Sequence, residues 1–211
     1  MANENNWIVG VIGWVDLISK DVEKRFEHFS SYKKLKGFRH IVQAETDDNF
    51  MLNENFQNGI NHLGQYNFTY DILIYPHQLP AAIKLSEKYP QQKFILDHIA
   101  KPYIKKHEIE PWASLIKELA KNRSVFCKIS GIITEADHKN WEPKDIYPYL
   151  DVVFDSFGFD RLLFGSDWPV CLLAGSYGQV KNLIEEYIGR TSDENKEKIF
   201  GNNARLFYNI N

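Results

Sequence analysis

Six short runs of apolar and β-branched residues recur at fairly regular intervals, and they constrain the fold more than any other feature of the chain. They are "WIVGVIGWV" (7–15), "FRHIV" (38–42), "YDILIY" (70–75), "KFILDH" (93–98), "VFCKIS" (125–130) and "RLLFGS" (161–166). Most are continuous rather than alternating, the pattern of strands covered on both faces in a parallel sheet. Helix-period patterns lie between them. Val22, Phe26, Phe29 and Leu35 share one face over 21–35. Trp112, Leu115, Ile116 and Leu119 follow i, i+3, i+4, i+7 spacing behind Pro111, a residue suited to a first helical turn. Segments 143–157, 177–188 and 192–208 also read as helices, the last with Thr191 and Glu194 at capping-box spacing.

Strands alternating with helices imply βα units and a parallel sheet, either doubly wound or closed as a barrel. No GxGxxG or GxxxxGK[ST] follows any strand, which removes the phosphate-loop versions of the open sheet. Polar and aromatic residues gather where several strands end: Trp14 and Asp16, Arg39 and His40, His77, Asp97 and His98, Asp167 and Trp168. Delivery of reactive groups from many strand ends is how a barrel builds its site, so the expected fold is α/β of the (β/α)8 TIM-barrel type. One domain spanning residues 1–211 is expected. A typical barrel of about 250 residues uses about 31 per βα unit, and six strands fall short of eight, so the barrel is expected to be incomplete.

The composition narrows the function. With 25 basic and 28 acidic residues interspersed and a net charge of -3, no basic stripe marks a nucleic acid or an anionic membrane as partner. The N-terminal stretch lacks the charged-then-apolar pattern of a secretory signal, and no uncharged apolar run reaches the ~18 residues of a membrane span. Cys127 and Cys171 form no CxxC and read as reduced core thiols. A cytoplasmic protein is expected.

Seven stretches carry a family resemblance: "GVIGWVDL" (10–17), "KGFRHIVQ" (36–43), "YDILIYPHQL" (70–79), "FILDHIAKP" (94–102), "CKISGI" (127–132), "LLFGSDWPV" (162–170) and "IFGNNARLFY" (199–208). In this order they resemble the amidohydrolase-2 branch of the amidohydrolase superfamily, and within it the L-fuconolactonase-like sugar-lactone hydrolases. The 2-pyrone-4,6-dicarboxylate hydrolases are more distant relatives. The resemblance implies an eight-stranded barrel, of which these six runs look like the third to the eighth strand. It also implies an H-x-H pair at the end of the first strand, and this sequence contains none. Either the chain is an N-terminally shortened copy, or another polypeptide supplies the upstream part.

Opening a lactone requires an activated water, an electrophilic carbonyl and a place for the oxyanion. Asp167, in "GSDWP", either caps the following turn, pairs with a nearby cation or acts in catalysis; the resemblance implies the general base. Trp168 is expected as a pocket wall. For His98 the choice lies between a hydrogen-bonded structural residue and the group that polarises the carbonyl, and the resemblance implies the second. Asp97 should alternate to the other face of its strand and serve as structural support.

A regular strand would point only one of Arg39 and His40 inward, where a cation suits a carboxylate or hydroxyl-rich ring. His77 is a candidate pocket residue. Trp14 and Asp16 are expected either to contact a polyhydroxylated ring or, for Trp14, to pack in the barrel layer. His28, His62, His107 and His138 read as surface residues. A zinc site would need several N/O ligands, and the chain offers His98, Asp167 and His77 without the H-x-H pair, so no obligatory cofactor or metal residue is expected. The expected substrate is a small sugar lactone. The alternatives are a metal-dependent decarboxylase of the same superfamily, or an inactive remnant or half of a split enzyme. Open sheet edges imply self-association or a covering partner segment.

Overall fold

Each apolar run contributes one short strand to a single parallel sheet. In a computed structural model that describes residues 2–189 and 191–210, the strands are β1 (Val11–Gly13), β2 (Leu35–Phe38), β3 (Thr69–Ile72), β4 (Phe94–Leu96), β5 (Val125–Ile129) and β6 (Leu162–Phe164). All neighbours are parallel, and the spatial order is the sequence order, β1 to β6. A doubly wound sheet reverses its strand order at a switch point. A sheet that advances one strand at a time, always in one direction, is instead the curling wall of a barrel. The fold is an incomplete (β/α)8 barrel of six strands.

The helices are α1 (Val22–Ser30), α2 (Glu54–Gln65), α3 (Leu79–Lys88), α4 (Trp112–Ala120), α5 (Pro143–Phe157), α6 (Tyr177–Tyr187), α7 (Asp193–Glu197) and α8 (Asn203–Phe207). A π-turn over Lys198–Asn202 joins the last two. Helix α1 stops earlier than the 21–35 pattern suggested, and Leu35 opens β2 instead. The strand lies three residues ahead of the run at 38–42. Gly37 sits against Thr69 of β3, where a Cβ would collide with the threonine hydroxyl and carbonyl, so the pairing of β2 with β3 needs a residue without a side chain there.

Sequence patterning also missed α2 and α3. Helix α2 buries Phe56, Gly59, Ile60 and Leu63 at helical spacing, but Asn and Gly residues dilute its propensity. It is secured by Asn53, whose side-chain oxygen accepts from the backbone N–H groups of Asn55 and Phe56. The C-terminal helical segment is capped by Ser192, which accepts from Asn195 N, rather than by Thr191. Thr191 Oγ1 takes the Asn195 side-chain amide instead.

Alternation along the strands sorts the residues into two layers. Tyr70, Ile72, Phe94, Leu96, Val125, Cys127, Ile129 and Leu162 face the helices and join the main core. Ile95 and Leu163, with Phe126, face inward and meet Phe207 of α8, a small second cluster inside the arc. Lys93 Nζ donates to the Phe207 carbonyl and Lys36 Nζ to that of Asn209, which ties the C-terminal tail to the end of the sheet where the strands begin. The other end, where they stop, is left for polar residues.

Candidate active site

The interior of the arc carries charge above its apolar plug. Asp71 of β3 and Lys128 of β5 point inward, and Lys128 Nζ contacts Asp71 Oδ2 and lies 2.7 Å from Asp97 Oδ1. Arg39 NH1 donates to Asp97 Oδ2 at 2.9 Å, and the Tyr208 hydroxyl donates to Asp71 Oδ2 at 3.0 Å. Two buried carboxylates are thus held by two cations, the arrangement buried charge requires. Burial pushes Asp71 up to about 6 against the pull of Lys128. Burial also works upward on Asp97, but Lys128, His98 and Arg39 together hold it below the ordinary carboxylate range. Burial works to lower the Lys128 ammonium, yet Asp71 and Asp97 raise it well above the usual lysine range.

Alternation puts Asp97 on the inner face, beside Lys128 and Arg39, and should then send His98 toward the helices. It does not. His98, Ile99, Ala100 and Lys101 all have positive φ, between 48° and 59°, a left-handed turn built from four residues that are not glycine. Such backbone is disfavoured by roughly 1–2 kcal/mol per residue and persists only where surrounding contacts impose it. Those contacts are present. Trp112 Nε1 donates to the Ile99 carbonyl at 2.8 Å, Lys101 N donates to the His98 carbonyl at 2.8 Å, and His98 Nδ1 lies 2.8 Å from Ser130 Oγ. The expectation that Asp97 and His98 face opposite sides is therefore corrected: the turn brings both to the mouth.

The His98 ring fits there because residue 131 is glycine. Gly131 has φ +60°, and a Cβ on it would stand 2.8 Å from His98 Cγ and Nδ1. Across the mouth, Asp167 follows β6, also at positive φ, and its Oδ1 lies 3.6 Å from His98 Nε2. Both side chains are largely enclosed, at 10% and 16% exposure. Burial lowers the His98 imidazole below the ordinary histidine range, against the pull of Asp97 and Asp167. The shift favours the neutral ring. If Nδ1 accepts from the Ser130 hydroxyl, the single ring proton sits on Nε2 and faces Asp167. The mouth thus sets a carboxylate and a ring nitrogen side by side, 3.6 Å apart, facing the same opening.

The remaining candidates fall in three places. Arg39 joins the charged interior, with burial working to lower its guanidinium and Asp97, Asp71 and Asp167 raising it. His40 is taken up by Glu45 Oε1 at 2.6 Å and stacks on Phe50 at 5.0 Å, so of the adjacent pair only Arg39 enters the interior. Trp14 (59% exposed) and Trp168 (65%) stand out at the surface beyond β1 and β6, and neither packs in the layers of the described sheet. Asp16 accepts from Ile18 N in a local turn. His77 stacks on Tyr75 at 5.9 Å and has Asp48 Oδ1 at 3.4 Å.

His28, His107 and His138 are exposed, whereas His62 is partly buried with Glu23 Oε1 at 3.8 Å, a correction to its surface reading. Sequence reasoning passed over Ser130, Lys128 and Asp71. A charge at an inward position of an otherwise apolar strand was the available signal for the last two. It also passed over Lys101 and Glu135, whose charged atoms lie 3.6 Å apart.

A resident metal would need at least three protein donors around one point. Among the described residues no three His, Cys, Asp or Glu side chains converge in that way. His98 and Asp167 supply two donors, and His77 is engaged with Asp48. Among the described residues, these donors fall short of the set a metal centre needs. Among the described residues, no helix is long and apolar enough to cross a membrane.

The family described as Amidohydrolase (Amidohydro_2) matches residues 2–210. An L-fucono-1,5-lactonase of Burkholderia multivorans is 34% identical over 219 residues, covering 99% of this chain and 74% of that protein. A crystal structure of an amidohydrolase from Burkholderia multivorans with bound HEPES superimposes with a TM-score of 0.94 at 33% identity, covering 100% of this chain and 77% of the other. A second, with bound zinc, gives 0.93 at 34% identity, covering 100% and 76%.

Proposed function

The chain belongs to the amidohydrolase family Amidohydro_2, and from that premise we propose that it is a hydrolase that opens a small sugar lactone by attack of an activated water. The observation that carries the reading is the His98–Asp167 pair, 3.6 Å apart at the ends of β4 and β6, with the histidine locked by Ser130 and Gly131. Asp167 takes a proton from water as the oxygen bonds to the lactone carbonyl carbon. His98 Nε2–H hydrogen-bonds to the carbonyl oxygen as it becomes an oxyanion. The carbonyl then re-forms, the bond to the ring oxygen breaks, and the proton held on Asp167 passes to the released alkoxide. The balance is one lactone and one water to one hydroxy acid, with both protein groups restored. Arg39, whose guanidinium is only partly covered beside Asp97, is placed to hold a substrate oxygen. The alternative of a metal-dependent decarboxylase needs a donor set that these residues do not assemble.

The test is proton release from L-fucono-1,5-lactone in weakly buffered indicator, with Asp167→Asn beside the parent. Loss of a general base lowers a rate by about 10²–10⁴-fold, and the fold should be unchanged. An Asn variant that keeps more than half the parent's rate removes Asp167 from this role.

The sheet also bears on partners. Strands β1 and β6 end the described sheet without an outer neighbour, and exposed Trp7 and Val9 precede the first while Trp168, Leu172 and Leu173 follow the second. Unpaired edges beside apolar side chains favour association, and the reading is a second copy of this chain laid against them. Light scattering should then give a mass that rises with concentration toward twice the chain mass. A constant monomer mass up to millimolar concentration overturns it.

A further inference from the structure

Lys101 and Glu135 have no role in the chemistry described above, yet they stand beside it. Lys101 ends the left-handed turn that begins at His98, and Glu135 ends the short turn Ile133–Glu135 that follows β5. Their side chains keep only 15% and 19% of their exposure, but the pair is loose. Lys101 Nζ and Glu135 Oε1 are 3.6 Å apart, longer than a good charge-assisted hydrogen bond. Lys101 otherwise lies over the Tyr75 ring, 5.6 Å from its centroid.

An ammonium has three donors and a carboxylate about four acceptor sites, so most of their capacity is unused in a place that water reaches poorly. The pair lies within electrostatic reach of the reacting groups. The Lys101 charge acts on His98, and the Asp167 charge acts on Glu135. Aromatic rings adjoin it. Tyr75, over which Lys101 lies, stacks on His77.

A donor cation and an acceptor carboxylate side by side, next to aromatic faces, suit a ring that carries neighbouring hydroxyl groups. One hydroxyl accepts from the ammonium, the next donates to the carboxylate, and the apolar C–H face of the ring lies on the aromatic. We propose that Lys101 and Glu135 form a hydroxyl-reading subsite that distinguishes a polyhydroxylated lactone from a bare one. The proposal rests on the lactonase reading above and adds the part of the substrate that is not attacked.

The experiment uses lactams, which occupy a lactone site without being opened as readily. Titration of the isotope-labelled full chain by amide NMR compares a polyhydroxylated δ-lactam of the sugar series with unsubstituted δ-valerolactam, for the parent, Lys101→Met and Glu135→Gln. Each substitution should weaken the hydroxylated lactam by roughly ten- to a hundredfold, the range for a hydrogen bond to a charged group, and leave δ-valerolactam within twofold. Unchanged amide positions far from the mouth report that each variant is folded.

Equal weakening of both lactams, no weakening of either, or no saturable binding of the hydroxylated lactam to the parent overturns the proposal. Hydroxyl-dependent binding by a parent that does not open the lactone would instead sink the hydrolase reading and leave the subsite standing.

Discussion

Replacing Gly131 with alanine should damage the site more than it damages the fold, and the structure gives both sizes. The added Cβ would stand 2.8 Å from His98 Cγ and Nδ1 and 2.9 Å from its Cβ, all inside the contact limit. Alanine at φ +60° is disfavoured by about 1–2 kcal/mol relative to glycine, and overpacking a fixed neighbour adds about 1–3 kcal/mol. The expected loss is therefore about 2–5 kcal/mol. Some of it is relieved if the imidazole swings away, at the expense of its 2.8 Å contact with Ser130 Oγ. That movement is what catalysis cannot tolerate, since displacing a reacting group by about 1 Å can lower a rate about a hundredfold.

Gly158→Ala provides the control. Gly158 has φ 65° and ψ 174°, a region only glycine enters readily, but nothing lies within 4 Å of its missing Cβ and it ends α5. It should lose about 1–3 kcal/mol from backbone strain alone. Urea unfolding gives the stabilities, and initial lactone hydrolysis per folded molecule gives the activity. Gly131→Ala should lose both, Gly158→Ala only stability. If Gly131→Ala keeps half the parent rate per folded molecule, or loses under about 0.5 kcal/mol, the packing of His98 against residue 131 is not what positions it.

Two further outcomes follow from the buried charges. His98 is held below the ordinary histidine range, so the unfolded chain takes up its proton first as pH falls; this part of the stability is complete above about pH 6.5 and is lost below it. Asp71, raised to about 6, binds its proton more tightly when folded and acts oppositely between about 4 and 6, so the measurement is the difference in urea stability between the parent and His98→Gln across pH 5–7.5, and a pH-independent difference contradicts the assignment. Lys128→Met should destabilise by about 3 kcal/mol because it leaves two buried carboxylates facing each other, and Asp71→Asn added to it should recover part of that; equal stabilities of the single and double variants would show that Lys128 does not hold Asp71.

What the sequence made legible, and what it hid, divides along physical lines. The strands were visible because both their faces are buried, so apolar runs such as "VFCKIS" and "RLLFGS" stand out whatever their neighbours are. Helix α2 was hidden because its stability comes from packing and from the Asn53 cap rather than from propensity. At the site, Asp167 and His98 were legible as polar residues at strand ends, but their relation was not. Alternation, the only geometric rule available for "LDHIAKP", sends His98 to the wrong side. The left-handed turn that reverses it contains no glycine and so leaves no mark in composition. Its mark lies elsewhere, in Gly131 and Trp112, which are distant in sequence and matter only once the chain is folded.

Asp97 and His98 are neighbours in the chain with opposed electrostatic demands. A carboxylate beside an imidazole favours its protonation, and both Asp97 and Asp167 pull His98 in that direction. A protonated imidazole next to Asp167 would tie up the base in an ion pair. Burial, helped by the charges of Lys101 and Lys128, outweighs that pull, so the shift runs toward the neutral ring. Asp97 itself is engaged on both oxygens, by Lys128 at 2.7 Å and by Arg39 at 2.9 Å. The inward lysine of β5 therefore acts on the site twice: it compensates the buried carboxylates, and it opposes the proton that would disable the pair above them. A charge placed in the middle of an apolar strand, costly for folding, is thereby connected to the protonation state that water activation at Asp167 requires.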